Sequence, residues 1–74
     1  GFPDLQITEA RGGYFGLFIE LKTIKGRATD VQRDWINDLN DRGYWAEICK
    51  GLPATIKTIE SYMEQKETKR HESN

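Results

Sequence analysis

The densest chemistry in the chain lies in Glu20-Leu21-Lys22. Residues two apart on a strand project from the same face, so in an extended segment the Glu20 carboxylate and the Lys22 ammonium become neighbours. A second carboxylate, Asp4, follows Pro3, which fixes the local chain direction. A hairpin closing near Gly12 and Gly13 brings Asp4 close to Glu20. Two carboxylates about 4 Å apart repel by roughly 4 kcal/mol at an effective dielectric of 20. A fold that holds them together therefore calls for a cation. Oxygen-only ligands favour magnesium or manganese over zinc. Lys22 then supplies a charge that can orient an attacking water or stabilise a developing phosphoryl oxyanion. These parts match phosphodiester hydrolysis. Taken alone, the Glu-x-Lys spacing also describes an ordinary exposed strand face carrying an ion pair.

The elements that must position these groups are readable from the apolar pattern. Asp4 to Thr8 alternates, with Leu5 and Ile7 on one side, and suits a short strand. From Tyr14 to Lys22 a longer strand is expected, with Leu17, Ile19 and Leu21 on one face and Phe18, Glu20 and Lys22 on the other. After Gly26, helical spacing of Val31, Trp35, Ile36 and Leu39 predicts a helix stopped by Gly43. Tyr44 to Cys49 reads as a third strand. Gly51 and Pro53 open a last helix with apolar positions Ile56, Ile59, Tyr62 and Met63. The expected order is strand, strand, helix, strand, helix: a small α/β fold with a sheet flanked by helices.

A chain of 74 residues holds one small domain. Residues 1–63 form the expected core, and 64–74 a charged C-terminal tail without an apolar anchor, expected to fray or extend into solvent. A core of roughly 60 residues gains from a metal or a partner subunit. The single cysteine, Cys49, excludes an internal disulfide and fits a reducing, intracellular, cytoplasmic setting. No apolar run reaches membrane-spanning length, so no membrane partner is expected. The formal charge of −1 argues against binding nucleic acid through overall basicity. A local strip of Lys22, Lys25, Arg27 and Arg33 remains the candidate for phosphate contact. A solvated loop is the competing account of Lys25 and Arg27.

Gly1-Phe2-Pro3-Asp4-Leu5, Gly16-Leu17-Phe18-Ile19-Glu20-Leu21-Lys22, Gly26-Arg27 leading to Gln32 and Trp35, and Gly43-Tyr44 together resemble the VRR-NUC family, a branch of the PD-(D/E)XK nucleases. Members occur in phages, in bacteria and at the C-terminal end of a eukaryotic DNA-repair nuclease. The resemblance implies a restriction-endonuclease-like fold, a mixed sheet, divalent-metal catalysis and action on branched or flapped DNA. It implies that Asp4 and Glu20 are metal ligands, that the Leu21 carbonyl completes the inner shell, and that Lys22 is the base or charge stabiliser. A phage-encoded member would act in the host cytoplasm. Gln32 matches the glutamine that the family places on the helix after the catalytic strand. Thr29 and Gln32 also have the spacing of a capping box, a role that needs no catalysis and does not exclude it. Relatives usually carry a further glutamate on an upstream helix, and no residue here matches it.

Other residues have plainer expected roles. Trp35 falls on the apolar stripe of the first helix. Trp45, out of phase with Ala46 and Ile48, faces either a second layer or a subunit partner. Tyr14 and Phe15 are expected to cover the core, Cys49 to be a small buried apolar residue, and His71 to be solvated. A homodimer is expected from the small core, two-fold pairing being the commonest arrangement, and would place two cutting centres on a four-way junction. The alternative function is a non-catalytic DNA-binding or dimerisation module with the same fold. A phosphatase or nucleotide-handling enzyme lacks the glycine-rich phosphate loop it would need.

Overall fold

The computed structural model describes residues 3–68. It contains β1 (Leu5–Ile7), β2 (Leu17–Lys22), α1 (Asp30–Asp41), β3 (Trp45–Lys50) and α2 (Leu52–Met63). The order is the one expected from sequence. The sheet is mixed, with β2 between an antiparallel β1 and a parallel β3. Parallel neighbours need a crossover, which α1 supplies.

Strand alternation assigns each helix to a face. Leu17 and Ile19 of β2 are fully buried with Cys49 of β3 and Tyr62 of α2, and Leu5, Ile7, Trp45, Ile59 and Met63 pack around them. Phe18 and Glu20 point the other way, where Phe18 meets Trp35 of α1 with ring centroids 6.5 Å apart. The helices therefore lie on opposite faces of the sheet.

Turn and cap chemistry set the connections. Arg11 and Tyr14 exchange backbone hydrogen bonds of 3.2 and 2.8 Å around Gly12 and Gly13, whose φ angles are 60° and 88°. Two consecutive positive φ values suit a tight hairpin turn, and glycine adopts them without a Cβ clash. β2 begins at Leu17 rather than Tyr14, because this turn holds Tyr14 apart from the ladder. α1 ends in a Schellman arrangement: Gly43, at φ 100°, donates to the Asn40 carbonyl, and Tyr44 to that of Leu39, both at 3.1 Å.

Four expectations are corrected. Ile56 is 45% exposed, while Thr55 and Thr58 occupy the buried face of α2. Their hydroxyls are satisfied, Thr55 by the Gly51 carbonyl at 2.9 Å and Thr58 by Glu47 at 3.2 Å, which makes their burial tolerable. Val31, placed on the apolar stripe of α1, is 69% exposed, and only Ile36 of that helix is buried. Trp35 packs on Phe18 at the half-buried margin of the core, whereas Phe15, expected to cover the core, is 61% exposed. The tail does not leave for solvent at Glu64. Gly12 donates to the Lys66 carbonyl at 2.8 Å and Thr68 to that of Ala10 at 3.1 Å. The Arg11 guanidinium donates to the carbonyls of Met63 and Gln65 at 2.9 and 3.1 Å. Backbone groups and one cation at the C-terminal end of α2 do what apolar side chains could not. His71 lies outside the described residues.

Trp45 resolves in favour of a second layer. Its ring packs 5.2 Å from that of Tyr14 and 5.6 Å from that of Tyr62, and its indole N–H donates to Glu47 at 3.0 Å. The apolar surface left open lies elsewhere, in a groove of about 490 Å³ lined by Leu5, Leu21, Leu52, Ile56 and Ile59. Among the described residues no helix is long and apolar enough to cross a membrane.

Tyr62 is fully buried and its hydroxyl donates to the Glu9 carbonyl at 2.7 Å, tying α2 to the segment after β1. Tyr62→Phe should cost about 1 kcal/mol. That corresponds to a fall of roughly 4–8 °C in thermal midpoint for a domain of this size. An unchanged midpoint in a circular-dichroism melt would show that the tie contributes nothing.

Candidate active site

β1 and β2 pair with Leu5 opposite Ile19. Continuing that register by one residue sets Asp4 opposite Glu20, on the α1 face. Asp4 is held there by its own side chain, Oδ2 accepting the Leu21 N–H at 2.9 Å. The Lys22 ammonium sits 3.8 Å from Glu20 Oε2, with only 20% of the Lys22 side chain and 13% of the Glu20 side chain exposed. At that separation the pair is an ion contact without a hydrogen bond, so the ammonium is not locked onto Glu20.

Gln32 reaches the same carboxylate from α1. Its Nε2 donates to Glu20 Oε2 at 3.0 Å. Its Oε1 accepts the Thr29 N–H at 3.0 Å, while its own N–H donates to Thr29 Oγ1 at 3.1 Å, completing a capping box. The two roles considered for Gln32 thus coexist in one side chain. The cap fixes the amide orientation by engaging its oxygen, which leaves the NH₂ group directed at Glu20. Thr29 positions the site through Gln32 without touching it.

Burial, followed by the negative charge of Asp4, raises the Glu20 carboxyl above its ordinary range, with Lys22 pulling part of the way back. Glu20 is thus held where its ionised form is disfavoured, which is what a carboxylate site for a hard cation does when no cation neutralises it. Among the described residues no group of three or more His, Cys, Asp or Glu side chains gathers at one point. Two carboxylates with oxygen donors still fit a magnesium-type ion, which commonly takes one or two carboxylates and completes its shell with water and substrate phosphate.

Residues 1–53 match the VRR-NUC domain family. The chain belongs to the VRR-NUC family. A solved VRR-NUC domain protein superposes on it with a TM-score of 0.87 at 35% identity, over 99% of this chain and 61% of that one. A Fanconi-associated nuclease 1 homolog from Arabidopsis thaliana is 39% identical over 59 residues, which are 76% of this chain and 7% of the plant protein. The VRR-NUC chain therefore spans under two thirds of the solved relative and a small part of the plant one. The strand-strand-helix-strand-helix order and mixed sheet are those of the VRR-NUC nuclease fold.

Of the residues singled out from sequence, Asp4, Glu20, Lys22 and Gln32 come together in this VRR-NUC domain. Leu21 meets the group through its N–H to Asp4. The three basic residues separate. Arg27 and Arg33 line a shared depression, and Lys25, exposed in the loop after β2, is not part of its wall. Arg33 also pairs with Asp30 at 2.9 Å on the surface. Sequence reading missed Lys50. With β3 expected to end at Cys49, nothing signalled that the parallel register would set Lys50 beside Lys22 and Ile48 beside Glu20.

The Gln32 amide can be tested separately from its cap, because glutamate also serves at the third position of a capping box. Gln32→Glu should keep α1 capped while removing the donor to Glu20 and adding a negative charge, so the Glu20 titration should move further up. Thr29→Ala should instead cost about 1 kcal/mol of stability through the lost cap. Carboxyl-carbon NMR titration in chelator reads the first effect and thermal melting the second. A Glu20 titration identical in wild type and Gln32→Glu would mean that Gln32 does not contact it in solution.

Proposed function

We propose that this VRR-NUC domain is the hydrolytic centre of a magnesium- or manganese-dependent endonuclease that cuts phosphodiester bonds in branched DNA, such as four-way junctions or flaps, inside the cell. The convergence of Asp4, Glu20 and Lys22 around one largely buried carboxylate carries the reading. Membership of a nuclease family and likeness to a plant protein named as a nuclease support it.

In this proposal Asp4 and Glu20 hold the divalent ion, with the Leu21 carbonyl as a further oxygen donor. When bound, the ion supplies Lewis-acid polarisation of the scissile phosphate and a lowered pKa for water. Lys22, close to Glu20 but not hydrogen-bonded to it, orients water for in-line attack or balances negative charge on the phosphoryl oxygens. Gln32 prevents the Glu20 carboxylate from rotating away. Arg27 and Arg33, with Lys25 nearby in sequence, contribute cationic groups toward the DNA backbone.

The alternative, a non-catalytic DNA-binding or dimerisation module with a nuclease fold, draws on the acidic set stopping at two side chains among the described residues. Cleavage decides between them. Labelled flap, splayed-arm and junction DNAs should be cut with manganese in preference to plain duplex, and all should remain intact with chelator. Glu20→Gln and Lys22→Ala should each lower the rate by about 10²–10³-fold, the usual scale for removing one electrostatic stabiliser, while the melt stays cooperative. Cutting by Lys22→Ala at the wild-type rate removes Lys22 from the chemistry, and intact DNA on every substrate favours the module.

The chain is also proposed to pair as a homodimer. The open groove beside α2 supports this, since Leu21, Leu52 and Ile56 are 42%, 69% and 45% exposed there. Light scattering at micromolar concentration should give twice the chain mass, and Ile56→Lys should return it to one. A wild-type monomer would dismiss the pairing.

A further inference from the structure

The hydrogen-bond phase of β3 leaves an unusual opening at its outer edge. Trp45 N donates to Gly16 O and Gly51 N to Lys22 O, both at 2.9 Å, at the two ends of the β2–β3 ladder. Bonding residues alternate along a strand, so Trp45, Glu47, Cys49 and Gly51 face β2. Ala46, Ile48 and Lys50 then turn their N–H groups to the outer edge. Ala46 is closed by the Asn40 side chain, which accepts its N–H at Oδ1 and donates Nδ2 to its carbonyl, both at 2.9 Å. The Ile48 and Lys50 amides have no such cover among the described residues. They border a depression of about 600 Å³ whose wall includes Arg27, Arg33, Lys50 and the small Ala28 and Ala54.

We propose that this edge is a phosphate track, in which the Arg27, Arg33 and Lys50 side chains and the outward amides of Ile48 and Lys50 grip the DNA backbone beside the cutting centre. The proposal rests on the nuclease reading and assigns one side of its substrate path. Charge selects the occupant. The depression has three cationic side chains, and its one acidic residue, Glu47, already accepts the Trp45 indole and the Thr58 hydroxyl. The Arg33–Asp30 pair is exposed on both sides and is readily exchanged for a phosphate. An added protein strand fits poorly, because with Ala46 closed the two outward residues left open span only about three positions, short of the usual strand of about 5–6 residues. Position links the track to the centre. Ile48 pairs with Glu20 and Lys50 with Lys22 on the adjacent strand, so a backbone held at the outer edge runs alongside the catalytic strand with only β3 between them, about two strand spacings or roughly 10 Å away.

The test uses the full chain and a labelled four-way junction. Binding is followed by fluorescence anisotropy in chelator over a range of salt, and cleavage by steady-state kinetics with manganese. Arg27→Gln combined with Lys50→Gln should flatten the salt dependence of log K by about 1.8, two phosphate contacts at about 0.9 each. The same double variant should raise KM at least tenfold with kcat nearly unchanged. Lys66→Gln, outside the depression and beside Gly12 at the other end of the sheet, should leave both values at wild type. An unchanged slope in the double variant overturns the track, as does an equal loss in Lys66→Gln, which would reveal a diffuse field. Polyglutamate that competes with DNA at equal affinity, and loses binding in the double variant, would reassign the edge to a protein partner. Wild-type DNA binding without cleavage, with the slope still reduced in the double variant, would support the track and overturn the nuclease reading alone. Absence of wild-type binding overturns both.

Discussion

Glu20 is the group on which the site depends. Its carboxylate is mostly removed from water, faces the negative charge of Asp4, and is balanced only partly by an ammonium 3.8 Å away. A position this unfavourable to charge persists because the surrounding structure over-determines it. The hairpin register fixes Asp4 opposite, the Leu21 amide holds Asp4 in place, and the Gln32 amide holds Glu20. In the proposed mechanism a hard cation turns the repulsion between the acidic groups into shared attraction.

β2 serves stability and chemistry at once because alternate residues leave it in opposite directions. Leu17 and Ile19 build the core beneath α2, while Glu20 and Lys22 form the site under α1. A shift of one residue in register would exchange the two sets, burying the charges in the core and exposing the apolar residues. The apolar core therefore acts as the clamp on site geometry, although no core side chain touches substrate in the proposed mechanism. α1 contributes in a similarly indirect way, since the interaction that caps its first turn also orients Gln32.

The structure manages its small core by satisfying polar groups inside it. Thr55 and Thr58 are buried with bonded hydroxyls, Asn40 imitates a strand along one residue of β3, and Arg11 gathers carbonyls at the end of α2. These contacts extend the ordered fold beyond the apolar face of its helices. They also explain why hydropathy alone misjudged the buried face of α2 and the residues following Glu64: a hydroxyl or an arginine counts as polar in sequence whether or not the fold supplies its partner.

Local physics made the element order, the Gly12-Gly13 turn, the Gly43 helix stop and the Thr29–Gln32 cap readable in the sequence, because each depends on residues within a few positions. The strand period likewise placed Glu20 and Lys22 together, and the residues shared with the VRR-NUC family pointed to Asp4 and Gln32. Other features required tertiary structure. Trp45 joined the α2 layer once Tyr14 and Tyr62 were brought to it, and Lys50 became a neighbour of Lys22 only through the parallel register. Which amides of β3 were left open depended on pairing with β2 and on Asn40 closing Ala46. Short-range preferences are written along the chain, whereas register and the satisfaction of buried polar groups are decided when distant segments meet.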